Sequence, residues 1–119
     1  MLNSAIDHAI SAHISWLARF ETARLGLDRE RFDPQQIGDP MLCTFGQWLS
    51  THPDFSSNPE QVERVKTLHQ RFHENAAVIA KLLGSHARHQ LIEAHCRDLS
   101  ELSSQLVDLL YEIKEQQHQ

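Results

Sequence analysis

The sequence predicts an all-α protein, an antiparallel four-helix-type bundle of three long helices plus one short helix carrying a cysteine. Three observations carry this. Apolar residues recur at alternating gaps of three and four along three separate stretches, which is one face of an α-helix. Leu, Ala, Gln, Glu and Arg are abundant, while glycine and proline number only four each in 119 residues, a balance that favours helix. No stretch has the strict apolar–polar alternation of a half-buried strand.

The first helix reads from a cap at Asn3 or Ser4 through Ile6, Ile10, His13, Leu17 and Phe20 to a stop at Gly26. Residues 27–40 lack periodicity and hold Pro34, Gly38, Asp39 and Pro40, so they read as a long loop. Asp39-Pro40 is a cap followed by proline at the first helical position. It opens a short helix over 40–51 carrying Leu42, Cys43, Phe45, Trp48 and Leu49, ended by His52-Pro53. Asn58-Pro59-Glu60-Gln61 is a second start signal, with a glutamine at the third helical position. Val62, Val65, His69, Phe72, Ala76, Ile79 and Leu83 follow in helical spacing; Gly84 closes that helix and Ser85 caps the next. The last helix carries Ile92, His95, Leu99, Leu102, Leu106, Leu109 and Ile113, a narrow stripe that suits either core or a dimer seam.

Length and composition bound the function. The chain suits one domain over residues 1–119, and 40% apolar with 23% charged residues is enough to build a real core. A net charge of −5 argues against a nucleic-acid binder, which carries a basic patch. No apolar run reaches the roughly 20 residues a membrane-spanning helix needs. The start, Met1-Leu2-Asn3-Ser4, does not read as a signal peptide. Two distant cysteines make no disulfide framework, so the expected setting is cytoplasmic with reduced thiols.

Nine histidines are the first pointer to metal chemistry. His69 and His73, four apart on a helix, lie one turn from each other on one face, so both imidazoles reach one metal. That pair alone is weak, because nine histidines give several chances of it. It gains weight from His13, a polar group on the apolar stripe of the first helix, where it needs a partner. Cys43 lies among apolar residues of the short helix. Three imidazoles and one thiolate make a closed tetrahedral set for Zn²⁺, and their softness favours zinc over calcium or magnesium. His95 reads as a satisfied core or interface histidine rather than a fifth ligand. Cys96 reads as a bystander thiol facing away from the stripe. His89 and Glu93 share a face, but a di-iron bundle needs more inward carboxylates than the stripes offer. Trp16 and Trp48 read as packing around the site, and His8, His52, His86 and His118 as surface or loop residues. Gly46, costly inside a helix, suggests close approach of another helix's backbone.

His13-Ile14-Ser15-Trp16-Leu17, then Cys43-Thr44-Phe45-Gly46-Gln47-Trp48, then His69-Gln70-Arg71-Phe72-His73 together resemble the chemoreceptor zinc-binding (CZB) domain. The resemblance implies a helical bundle that forms a homodimer, with zinc ligands at His13, Cys43, His69 and His73. It implies a sensory role coupled to an output, linked or separate: a diguanylate cyclase making c-di-GMP, or a chemoreceptor. This sequence holds no receptor signalling hairpin and no Gly-Gly-Asp-Glu-Phe type motif.

A closed four-ligand site leaves no position for substrate, so the expected role is regulatory rather than enzymatic. The leading reading is a domain that responds to zinc, and through Cys43 to oxidants. The alternative is a stand-alone helical interaction module whose zinc is purely structural.

Overall fold

The computed structural model describes residues 2–25, 32–85 and 88–116. Three long helices dominate it: α1 (Leu2–Arg24), α4 (Pro59–Gly84) and α5 (His89–Gln116), with two short helices between the first and second of these, α2 (Pro34–Ile37) and α3 (Thr44–Thr51). No strand occurs among the described residues. Among the described residues, no helix is long and apolar enough to cross a membrane.

The start signals act largely as their chemistry dictates. Asn58 accepts the Glu60 amide at 3.0 Å and Pro59 takes the first position of α4. Gln61 does not return to the cap as a capping box requires. Instead the Ser56 hydroxyl accepts the Asn58 amide and donates to Gln61 Oε1 at 2.7 Å, acting as a relay between them. The first helix already includes Leu2, so Asn3 and Ser4 lie inside it rather than capping it. The expected stop at Gly26 lies outside the described residues, as do His86 and His118.

Two sequence expectations for the middle of the chain need correction. The supposed loop over 27–40 contains α2, which is capped by Asp33 accepting the Gln35 amide at 2.9 Å and has Pro34 at its start. The same cap-plus-proline chemistry opens α2, but one turn of helix has no apolar period to reveal it. The expected single helix over 40–51 is broken in two. Asp39 caps a 3-10 turn, Pro40–Leu42; the backbone then extends at Cys43 (φ −87°, ψ 134°) before α3 begins. Cys43 is therefore the residue before a helix, not a residue within one.

Two apolar clusters fix the helix directions. One joins Ile6, Ala9 and Ile10 of α1, Val62, Val65 and Leu68 of α4, and Leu106, Leu110 and Ile113 of α5. The other joins Phe20, Phe72, Ala76, Ile79, Ile92, Cys96 and Leu99. The early parts of α1 and α4 thus share one cluster with the late part of α5, and the order reverses in the second. So α1 and α4 run the same way and α5 runs against both. The Lys114–Asp7 ion pair, 2.7 Å, joins the end of α5 to the start of α1 in agreement.

Because α5 packs on both other long helices, its buried face is wide and is centred elsewhere than expected. Ile92, Cys96, Leu99, Ser103, Leu106, Leu110 and Ile113 are buried in strict four-three alternation, with His95 and Leu102 half-buried at the flank. Cys96 is accordingly a core residue, 1% exposed, and not a thiol facing away. Burial pushes its thiol up to about 11. Ser85 ends α4, its amide bonded to the Lys81 carbonyl, rather than starting α5.

Candidate metal centre

Between the two apolar clusters sit His13, Cys43, His69 and His73, one ligating atom from each lying within 4.8 Å of every other. All three histidines are buried, His13 at 1%, His69 at 2% and His73 at 5% exposure. Cys43 is half-buried. Helical spacing accounts for His69 and His73, whose rings stand nearly perpendicular with centroids 4.5 Å apart. His13 meets them from α1, its ring 5.0 Å from His69 and 5.8 Å from His73. Phe45 and Phe72 close the sides with edge-on contacts to His69 and His13.

Cys43 reaches the same point because its local chain is tightly held. Its amide donates to the Pro40 carbonyl at 3.2 Å, and its carbonyl accepts the Gln47 amide at 3.1 Å. The Gln47 side chain also donates to the Met41 carbonyl at 3.0 Å. Gly46 permits this turn. A Cβ there would stand 1.9 Å from the Pro40 oxygen and 3.3 Å from His69 Cε1. The backbone approaching this glycine is thus that of the preceding 3-10 turn, not of another helix.

Hydrogen bonding fixes which ring nitrogens face the centre. A carbonyl only accepts, so a histidine nitrogen bonded to one carries the proton. His13 Nδ1 donates to the Ala9 carbonyl at 2.6 Å, and His73 Nδ1 donates to the Ile37 carbonyl at 2.7 Å. In the neutral rings both Nε2 atoms are then bare lone pairs. That of His73 accepts from His69 Nε2 at 3.0 Å. That of His13 is buried without any hydrogen-bond partner. Burial keeps the rings neutral. It lowers His13 to about 4 and, aided by the neighbouring imidazoles, His69 to about 3. Burial also lowers His73, against the raising effects of the Ile37 carbonyl and Asp39.

A partnerless buried lone pair costs free energy, so native proteins rarely leave one. Here it belongs to a cluster in which one ligating atom from each of His13, Cys43, His69 and His73 lies within 4.8 Å of every other. Zinc bonds of about 2.0–2.3 Å place tetrahedral donors roughly 3.3–3.8 Å apart. Donors up to 4.8 Å apart close to that spacing by small side-chain rotations. The donor set, three imidazoles and one thiol, suits zinc by softness and number. The residues present therefore fit the metal.

Other sequence candidates lie elsewhere. His95 Nδ1 pairs with Asn75 Oδ1 at 3.2 Å, and Asn75 Nδ2 donates to the His95 carbonyl at 2.9 Å, so His95 links α4 to α5 outside the centre. His8, His52 and His89 are exposed. Trp16 stacks on Phe20, and Trp48 lies between Phe45 and His52. The sequence reading missed the two backbone acceptors, Ala9 and Ile37. The first was available as the residue four before His13 on a helix. The second was not, because it belongs to the unread α2. A cleft of about 970 Å³ between α1 and the α2–α3 segment has Cys43 and His73 on its wall.

Fold and centre together define a helical domain built around a buried three-histidine, one-cysteine cluster able to hold a metal. The description of one family, the chemoreceptor zinc-binding domain, matches residues 13–80, more than half of the chain and all four residues of the cluster. The chain belongs to the chemoreceptor zinc-binding domain family, a zinc-binding family. No curated protein and no solved structure matches it.

Proposed function

We propose that this is a zinc-responsive regulatory domain in which His13, Cys43, His69 and His73 hold one zinc ion. The observation that carries the reading is the partnerless, buried Nε2 of His13 in a cluster with His69, His73 and the Cys43 thiol. Bound zinc supplies a cross-link between helices and no catalytic position, since the protein itself provides four donors. His13 and His73 are held ready by their carbonyl partners. His69 becomes a donor by moving its single proton from Nε2 to Nδ1, with no net release, while Cys43 gives up its thiol proton, so binding releases one proton and weakens in acid.

The four residues come from α1, α4 and the turn before α3. Occupancy therefore adds ordering free energy to the attachment of the short segments, while the two apolar clusters keep the long helices folded without metal. The regulated output is a diguanylate cyclase or a chemoreceptor in this reading, supported by the family's name and motifs. A homodimer is part of the reading. Its contact draws on exposed apolar residues such as Ile14 and Leu42, because the α5 stripe is buried within one chain. Cys43, the least buried of the four and on the cleft wall, gives oxidants a second route of input. Two-electron oxidation of its sulfur removes the thiolate donor.

Zinc exchange tests the regulatory role. Loaded protein mixed with excess chelator should release zinc within minutes, and faster after stoichiometric oxidant. Retention for many hours under both conditions would favour the alternative, a helical interaction module with structural zinc.

A further inference from the structure

The one-turn helix α2 has no stability of its own, since isolated short helices do not persist in water. It is held in place at both ends. Asp33 caps its start, and its Ile37 carbonyl accepts the His73 Nδ1 proton at 2.7 Å. Gly38 follows with φ −77°, an ordinary backbone that any residue adopts, so glycine is not there for its conformational freedom. It is there for space. A Cβ on Gly38 would lie 2.9 Å from the Ala77 Cβ on α4, with the Pro34 carbonyl oxygen also at 2.9 Å. Neither neighbour is the end of a flexible side chain.

We infer that α2 belongs to the metal centre: the Ile37 carbonyl fixes His73 in the tautomer whose Nε2 lone pair faces the cluster, and Gly38 is the positioning residue that lets α2 come close enough to α4 to do this. The inference rests on the zinc reading above and deepens it. Partners that orient a ligating histidine change metal affinity by about 10- to 100-fold. Linkage makes the effect reciprocal: if docked α2 strengthens zinc binding by some factor, bound zinc strengthens α2 docking by the same factor. Anything that pulls α2 away from α4 then loosens zinc, and zinc in turn holds α2 down. The element that reports occupancy is thus α2, through the Ile37–His73 bond.

The test is zinc affinity, by competition with a chromophoric chelator, for the whole chain and three variants. Gly38→Ala pushes α2 off α4 from one side, and Ala77→Leu does so from the other. Gly38→Ala/Ala77→Gly relieves the contact with α4. Both single variants should weaken zinc about 10- to 100-fold, and the double variant should bind zinc more tightly than Gly38→Ala, with the contact to the Pro34 oxygen remaining. A purely structural role predicts lower melting temperatures with equal affinities, and that result overturns the inference. A second readout needs no variant. The Ile37 and Gly38 amides bond to the Asp33 and Pro34 carbonyls, so their exchange reports α2 opening. Zinc should slow both amides in the wild type by a factor matching the affinity loss of Gly38→Ala. Unchanged exchange overturns the inference even where a variant fails to fold. Wild type that binds no zinc sinks the functional reading as well; wild type that binds zinc with affinities equal across the variants sinks this inference alone.

Discussion

Gly46→Ala sets two physical effects against each other. Helix propensity alone says that alanine should stabilise α3 by about 1 kcal/mol. The geometry says otherwise. The new Cβ would start 1.9 Å from the Pro40 carbonyl oxygen, where ordinary contact begins at 3.4 Å, so backbone must move by more than 1 Å. That backbone belongs to the 3-10 turn leading into Cys43, whose amide bonds to the same Pro40 oxygen. Overpacking of this kind costs about 1–3 kcal/mol, enough to cancel or reverse the propensity gain. The effect on metal is larger, because donor distances must be met to within about 0.2 Å. Zinc affinity should fall by about tenfold or more, as for a lost orienting partner. The assay is cobalt substitution, whose thiolate-to-metal absorption reports the cysteine bond directly, alongside melts of the metal-free protein. Gly46→Ala should lose that absorption while far-ultraviolet circular dichroism retains the long helices. A variant that keeps the absorption, and whose metal-free form gains about 1 kcal/mol, would refute the reasoning.

Other predictions follow from burial and hydrogen bonding. His13→Leu removes the partnerless Nε2 and fills the same space with apolar atoms, so the metal-free protein should gain about 1–3 kcal/mol in urea denaturation while zinc binding is lost. Metal-free stability should depend on pH in one direction. His13 and His69 titrate at about 4 and about 3 when folded, against 6.5 when exposed, so the unfolded chain takes up protons that the folded chain refuses. Stability from these groups is therefore full above pH 6.5 and should fall by about 1.4 kcal/mol per pH unit per histidine as pH drops towards 4. Urea midpoints at pH 7.5, 6 and 5 check this. Native metal-free protein treated with an alkylating reagent should be modified at Cys43 and spared at Cys96, as peptide mass spectrometry would reveal, because Cys96 is 1% exposed with its thiol raised to about 11. Asn75→Ala breaks both bonds to His95 and should cost about 1–2 kcal/mol without changing zinc affinity.

The long helices were legible because their signals are long. Val62 to Leu83 keeps one period over several turns, and Asn58-Pro59 marks its start without ambiguity. What the sequence hid is short or shared. One turn of α2 has no period, so its Asp33-Pro34 start was indistinguishable from loop. The break at Cys43 is invisible to a period that continues from Leu42 to Leu49, since a 3-10 turn and an α-helix place apolar residues similarly over so few positions. On α5 the sequence pattern runs through His95 and Leu102, whereas the buried positions are Cys96 and Ser103, one residue on. The stripe's true centre depends on α1 and α4 packing from two sides, which no single-helix pattern encodes. The candidate residues themselves were readable, because a histidine on an apolar stripe is anomalous wherever the chain folds. Of their carbonyl partners, Ala9 follows from helical spacing, four residues before His13, whereas Ile37 is hidden because it lies 36 residues from His73 in the one-turn α2.

The most direct test of the central claim is zinc content per chain, by elemental mass spectrometry of untagged protein purified without added metal, for wild type, Cys43→Ala and His73→Ala. One zinc per wild-type chain, with loss from both variants while each keeps its helical circular dichroism, is the predicted result. A wild type without zinc, or variants that retain it in full, would contradict the assignment of His13, Cys43, His69 and His73 as its ligands.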